Sequence, residues 1–261
     1  MLELYHWEPN TFSLKPLIVL HEKGLEYMSH YVDFLSLEQY TLPVTSALEV
    51  RHNPEGEGPI LVDKNVPMTE SFFIGLYLDE AYPAKPLRRG NAYARWRTLM
   101  WARFVNEVLA PAVSTLGCSK YLAPALARRD KVALAKTIER MPTKEQRDGW
   151  LAALNNTYSD DLIADSHRKV GLAVKKVEDA LAENDWLAGE GFSLADIDVF
   201  SLLASVPDLS PEALNARVAP RTFAWLEHIK SRPAVKAAFA TSKTGKPLEA
   251  FTPGPEHSRW G

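Results

Sequence analysis

The chain has 261 residues, more than one average domain holds and fewer than three would need. Its 46% hydrophobic and 24% charged residues are those of a chain that folds, which excludes a disordered composition. Lys+Arg 30 against Asp+Glu 33 gives a net charge of −3. With no basic block, nucleic acid and anionic membranes are poor partners and small molecules better ones.

In chain order, Leu2 to His6 reads as a strand, and Leu14, Leu17, Ile18 and Leu25 recur at helical spacing. Gly24 then turns the chain into a second strand, Tyr27 to Asp33. The stretch from Phe34 to Asn53 is polar and poorly periodic, and "GPILVDKNVPM" reads as a hairpin turning at Lys64-Asn65. Glu70 to Tyr82 is expected to be helical, with Phe73, Leu76 and Tyr77 on one face. This is β-α-β followed by β-β-α. The segment 84–90, inside "PAKPLRRG", has the proline and charge of a linker.

Beyond it the pattern is helical throughout. Tyr93, Trp96, Met100 and Phe104 form one apolar stripe, and Thr143 with Gln146 and Ser193 with Asp196 suggest capping boxes, the second stapled by Phe192 and Ile197. The tail from Lys243 is rich in proline and glycine and is expected to drape over the surface. The expected fold class is α+β, with a sheet domain over 1–83, a linker over 84–90 and an all-α domain over 91–261. The start carries neither a basic leader nor a long apolar run, so the cytoplasm is the expected location and no membrane span is expected. The lone Cys118 excludes an internal disulfide and a Cys-x-x-Cys site, and reads as a small buried hydrophobe.

Three places carry chemistry, each with a plain structural reading beside it. Ser13 opens a helix after a strand: it can be a cap, or a hydroxyl that with the helix dipole holds an anion. Glu70-Ser71 opens another helix and can be a cap, or can take the ammonium and carboxylate of an amino-acid head group. Pro59 is a loop proline, or marks a turn whose backbone pairs with a peptide ligand at Gly58.

A β-α-β-β-β-α unit without Cys-x-x-Cys, followed by helices, resembles the soluble glutathione S-transferase superfamily. "NPEGEGPIL", "MTES" and "LYLDEAYP" carry the resemblance. It implies a thioredoxin-like N-terminal domain, a cis bond before Pro59, glutathione as co-substrate, its γ-glutamyl end on Glu70 and Ser71, its cysteine on Gly58, and its glycine end near Gln39. Ser13 would then stabilise the glutathione thiolate, with Tyr5, an expected core residue, as the lesser candidate. Within the superfamily, "SLKPL", "HEKGLEY", "TES" and "VSTLG" resemble the bacterial β-etherases, which cleave aryl ethers of lignin-derived aromatics. Two features depart from the pattern: Gly58 replaces an apolar residue, and the loop after Phe34 is longer than usual. The resemblance implies an aromatic substrate pocket, for which Trp7, Phe12, Trp101 and Phe104 are candidates, and a homodimer or a heterodimer with a related subunit. It implies no metal. The alternatives are a general detoxifying transferase or dehalogenase, and a non-catalytic partner subunit of the same fold.

Overall fold

The computed structural model describes residues 1–37, 58–88, 90–141, 143–189 and 191–254. Strands β1 (Leu2–His6), β2 (Tyr27–Tyr31), β3 (Ile60–Asp63) and β4 (Val66–Met68) form one sheet in the order β2-β1-β3-β4. β1 runs parallel to β2 and antiparallel to β3, and β4 is antiparallel to β3. Lys64 and Asn65 turn the β3–β4 hairpin with φ of 50° and 66°, the positive values that a two-residue hairpin needs. Pro67 lies in β4, an edge strand, where a missing N–H is tolerated.

Helices α1 (Thr11–Lys23) and α2 (Ser71–Ala81) pack on each other and on the sheet. Leu4, Leu14, Leu17, Ile18, Leu61, Ile74 and Leu78 are almost wholly buried between them. Each side chain of this kind contributes about 1.5–3 kcal/mol when withdrawn from water. The buried face of α2 differs from the expected one. Phe72, Ile74 and Leu78 point inward, Leu76 and Tyr77 are half-buried, and Phe73 is 47% exposed. Gly75 lies on the buried side, where a Cβ would make ordinary contact with Leu194 and Val19 at 3.5 and 3.6 Å.

The remaining chain is helical: α3 (Ala92–Phe104), α4 (Ala110–Gly117), α5 (Ala123–Leu126), α6 (Lys131–Ile138), α7 (Lys144–Asn155), α8 (Asp160–Glu183), α9 (Leu194–Leu203), α10 (Val206–Leu209), α11 (Pro220–Ser231) and α12 (Pro233–Phe239). Wider π-type turns at Val105–Leu109 and Cys118–Leu122 carry the chain from α3 through α4 to α5. Every residue of α9 is buried, its acids Asp196 and Asp198 included, which places this helix at the centre of the domain. Its start follows the expected box: Asp196 accepts from Ser193 N and Oγ at 3.0 and 2.8 Å, and from Leu187 N and Trp225 Nε1. At the start of α7, Thr143 Oγ1 accepts from Gln146 N at 3.3 Å. Cys118 is buried in the core.

Ionic contacts tie the sheet side to the helices. Lys15 of α1 meets Asp198 of α9 at 2.6 Å, both buried, and Arg232 grips Glu22 through two bonds of 2.6 and 2.9 Å. The 84–90 segment is itself fastened. Lys23 Nζ donates to the carbonyls of Ala84 and Lys85, and Leu87 is buried with its N–H on Asp79 at 2.7 Å. The α3 stripe does not enter the core: Tyr93, Trp96 and Met100 are 63%, 52% and 40% exposed, and only Phe104 is half-buried. The tail runs exposed over Lys243 to Lys246 and then turns inward: Phe251 is 1% exposed and belongs to the main core.

Candidate active site

The topology gathers the sequence candidates at one edge of the sheet. β1 and β4 point the same way, so α1 after β1 and α2 after β4 start at the same end. Tyr5 pairs with Ile60, and Leu61 with Met68. Continuing the first register by one residue sets His6 beside Pro59, and continuing the second by two sets Pro59 beside Glu70. Ser13, Gly58, Pro59, Glu70 and Ser71 therefore frame one end of the sheet where two helix N-termini open. Gln39 lies outside the described residues.

Ser13 is the third residue of α1, and the N-cap is Asn10. The Ser13 Oγ accepts from Trp7 N at 3.2 Å, and among the described residues no acceptor takes its proton. Asn10 has the extended backbone of a cap, φ −139° and ψ 160°, yet its side chain makes no cap bond. It donates instead through Nδ2 to the Ala250 carbonyl at 2.8 Å.

Glu70 precedes α2 at φ 66° and ψ 98°, a left-handed position uncommon for a side-chain-bearing residue and of the kind that concentrates at ligand sites. It is exposed, and Ser71 is 8% exposed at the first position of the helix. The described residues contain no cis peptide bond, so the cis bond implied before Pro59 is corrected: the strand enters its register opposite Tyr5 with Gly58–Pro59 trans. The glycine at 58 has a packing reason. A Cβ there would fall 2.8 Å from the ring of Phe34, which stacks on Trp7 at 5.4 Å.

The four proposed pocket aromatics split into two places. Trp7 and Phe12 flank the start of α1, Trp7 buried and Phe12 half-buried with Lys15 Nζ 5.2 Å above its ring. Trp101 and Phe104 lie together under Lys176 of α8, with Trp101 Nε1 on the Leu187 carbonyl at 3.0 Å, an arrangement that serves helix packing. Tyr5 is not a core residue. It is half-buried on the sheet face opposite Leu4 and stacks on His30 at 4.3 Å. Burial, then the nearby Glu3, raises its phenol pKa, so it is a poorer proton donor than a free tyrosine.

Sequence reasoning passed over Asn10 and Glu8 and gave the tail no part in the site. Glu8 is buried, and its carboxylate accepts from Tyr31 Oη and Ser242 Oγ and from the N–H groups of Lys243 and Thr244. Burial pushes its carboxyl up, but these four bonds outweigh that and hold it below the ordinary value. Phe251 then seats on α4 at Gly117, where a Cβ would come within 2.2 Å of its ring, and stacks on Tyr121 at 6.0 Å. A lone aromatic in "EAFTPGP" and a glycine within an apolar helix were the available signals.

A thioredoxin-like sheet domain with two helix N-termini at one edge, joined to a helical domain, is the architecture of soluble glutathione transferases. Residues 11–81 match the family described as glutathione S-transferase, N-terminal domain, and residues 140–233 match glutathione S-transferase, C-terminal domain. The chain is 32% identical over 248 residues to protein LigF of Sphingobium sp. (strain NBRC 103272 / SYK-6), covering 93% of this chain and 94% of that one. The crystal structure of the β-etherase LigF from Sphingobium sp. strain SYK-6 superposes with a TM-score of 0.83 at 31% identity, over 92% of this chain and 99% of that one. Glutathione S-transferase F14 of Arabidopsis thaliana is 27% identical over 84% of this chain and 75% of its own. The chain belongs to the glutathione S-transferase family. Glutathione is the co-substrate of that family.

Among the described residues no group of three or more metal-ligating side chains stands together, and no helix is long and apolar enough to cross a membrane.

Proposed function

We propose that this protein is a glutathione-dependent β-etherase acting on lignin-type aromatic ketones. The observation that carries the reading is near-full-length similarity to the β-etherase LigF in a chain whose Ser13 hydroxyl, at the start of α1, meets no acceptor among the described residues. Glu70 and Ser71 would take the ammonium and carboxylate of the γ-glutamyl end, Gly58 and Pro59 would lie along its cysteine, and Gln39 would serve its glycine end. A free thiol has a pKa near ~8.5, so most of it is protonated at neutral pH. The Ser13 O–H and the helix dipole favour its anion. The thiolate attacks the carbon that bears the aryloxy group, a C–S bond forms, and the C–O bond breaks with its electron pair on the leaving phenolate. A phenol has a pKa near ~10, so the leaving group departs without a dedicated acid and takes its proton from water.

Trp7 and Phe12, beside Ser13, are the pocket aromatics this reading retains; Trp101 and Phe104 belong to helix packing. A thiol co-substrate is kept reduced in the cytoplasm, where the reading places the protein. The exposed apolar side chains Phe73, Tyr93, Trp96, Leu99 and Met100 suit a dimer interface with a second copy.

Paired substrates test the reaction. An aryl ether beside a ketone should release phenol with glutathione, whereas the matching secondary alcohol should bind comparably and react far more slowly. The carbonyl accepts electron density in the transition state and the alcohol cannot. Similar release from both ethers would leave a general transferase as the better account.

A further inference from the structure

Asn10 sits at the N-cap of α1, and among the described residues no acceptor meets the N–H groups of Phe12 and Ser13 that a cap side chain would ordinarily take. Its backbone has the extended φ and ψ of a cap residue, and Thr11, which follows it, has φ 39°. What keeps its side chain from the cap is the tail. Nδ2 of Asn10 is fixed on the Ala250 carbonyl, and Oδ1 is left buried and without a partner in a residue only 2% exposed. A buried acceptor left unmet is unfavourable, and the open donors lie in the same first turn.

The tail that imposes this is held at two further points. Glu8 takes the backbone of Lys243 and Thr244, and Phe251 fills the space above Gly117. We propose that the C-terminal segment is a working part of the thiolate site: the Ala250 carbonyl holds Asn10 off the first turn of α1 and leaves the Phe12 and Ser13 N–H groups open to an anion. Asn10 is thus a positioning residue, and this role rests on the reading of α1's first turn as the place of the glutathione thiolate. Cap and thiolate compete for the same donors, so a tail that lets go of Asn10 hands the donors to the cap.

The test measures the thiol pKa of bound glutathione from thiolate absorbance across pH, in full-length protein. Phe251→Ala removes the plug, and Gly117→Ala displaces it with a methyl. Phe251→Leu, a smaller plug that leaves part of the space above Gly117 empty, serves where Phe251→Ala does not fold. Each should raise the bound thiol's pKa by about one unit, a tenfold loss of thiolate well below that pKa. With Asn10→Ala already present there is no cap side chain to swing back, so the same tail variants should add nothing to the pKa of that single variant. The proposal is overturned if loosening the tail leaves the pKa in place, or raises it equally with and without Asn10. Ser13→Ala in the same assay separates the two ideas. If it leaves the pKa unchanged the thiolate reading itself fails; if it raises the pKa while the tail variants do not, only the role of the tail fails.

Discussion

Glu8 is a carboxylate with four donors and almost no water, and its behaviour in acid follows from that. Its pKa is lower in the folded chain than in the unfolded one, so the stability it contributes is present above the ordinary carboxylate value of ~4.3 and is lost as pH falls through the folded value. Wild-type protein should therefore lose melting temperature more steeply below about pH 4.5 than Glu8→Gln, whose side chain does not titrate. Parallel pH profiles would show that the four bonds contribute no charge-dependent stability. At this scale the sequence was only partly legible. Ser13, Glu70 and Ser71 announced themselves because a hydroxyl or acid at a helix start has few uses. Glu8 and Asn10 did not, because their partners Ser242, Lys243, Thr244 and Ala250 are more than two hundred residues away in the chain.

Among the elements, α9 shows how much a single cap can carry. Asp196 accepts from Ser193 N and Oγ, Leu187 N and Trp225 Nε1, and so fixes the start of the central helix to the preceding loop and to α11. Removing the carboxylate leaves several buried donors unmet, each costing about 1–3 kcal/mol. Asp196→Ala should thus lower the unfolding free energy by at least about 3 kcal/mol in urea titration, whereas Asp160→Ala at the exposed start of α8 should change it by about 0.5 kcal/mol or less. Equal effects would reduce Asp196 to an ordinary surface cap. This box was readable from Ser193 and Asp196 because capping is local. The inward face of α2 was not: helical periodicity allowed either Phe73 or Phe72 to point inward, and packing against α1 and α9 settled it on Phe72.

For the whole molecule, the dimer proposed above, of the two expected forms the one with a second copy rather than a related subunit, makes a prediction about solution state. Trp96→Glu places a charge in the exposed patch formed with Tyr93, Leu99 and Met100, so sedimentation should show wild-type dimers and variant monomers with the fold intact. Wild-type monomers would remove that patch as the interface. The sequence by itself determined the order of strands and helices, the hairpin at Lys64-Asn65, the helix start at Ser71, and through its motifs the family, because each depends on neighbours a few residues apart; the first helix, expected to open at Ser13, starts two residues earlier at Thr11. Only the tertiary structure decided that the α3 stripe faces outward, that Trp101 and Phe104 serve helix packing, and that Phe251 enters the core over Gly117. The physical reason is that an apolar side chain carries no record of which surface will cover it. Sequence periodicity shows that a face will be buried, while its partner is chosen by packing between segments far apart in the chain.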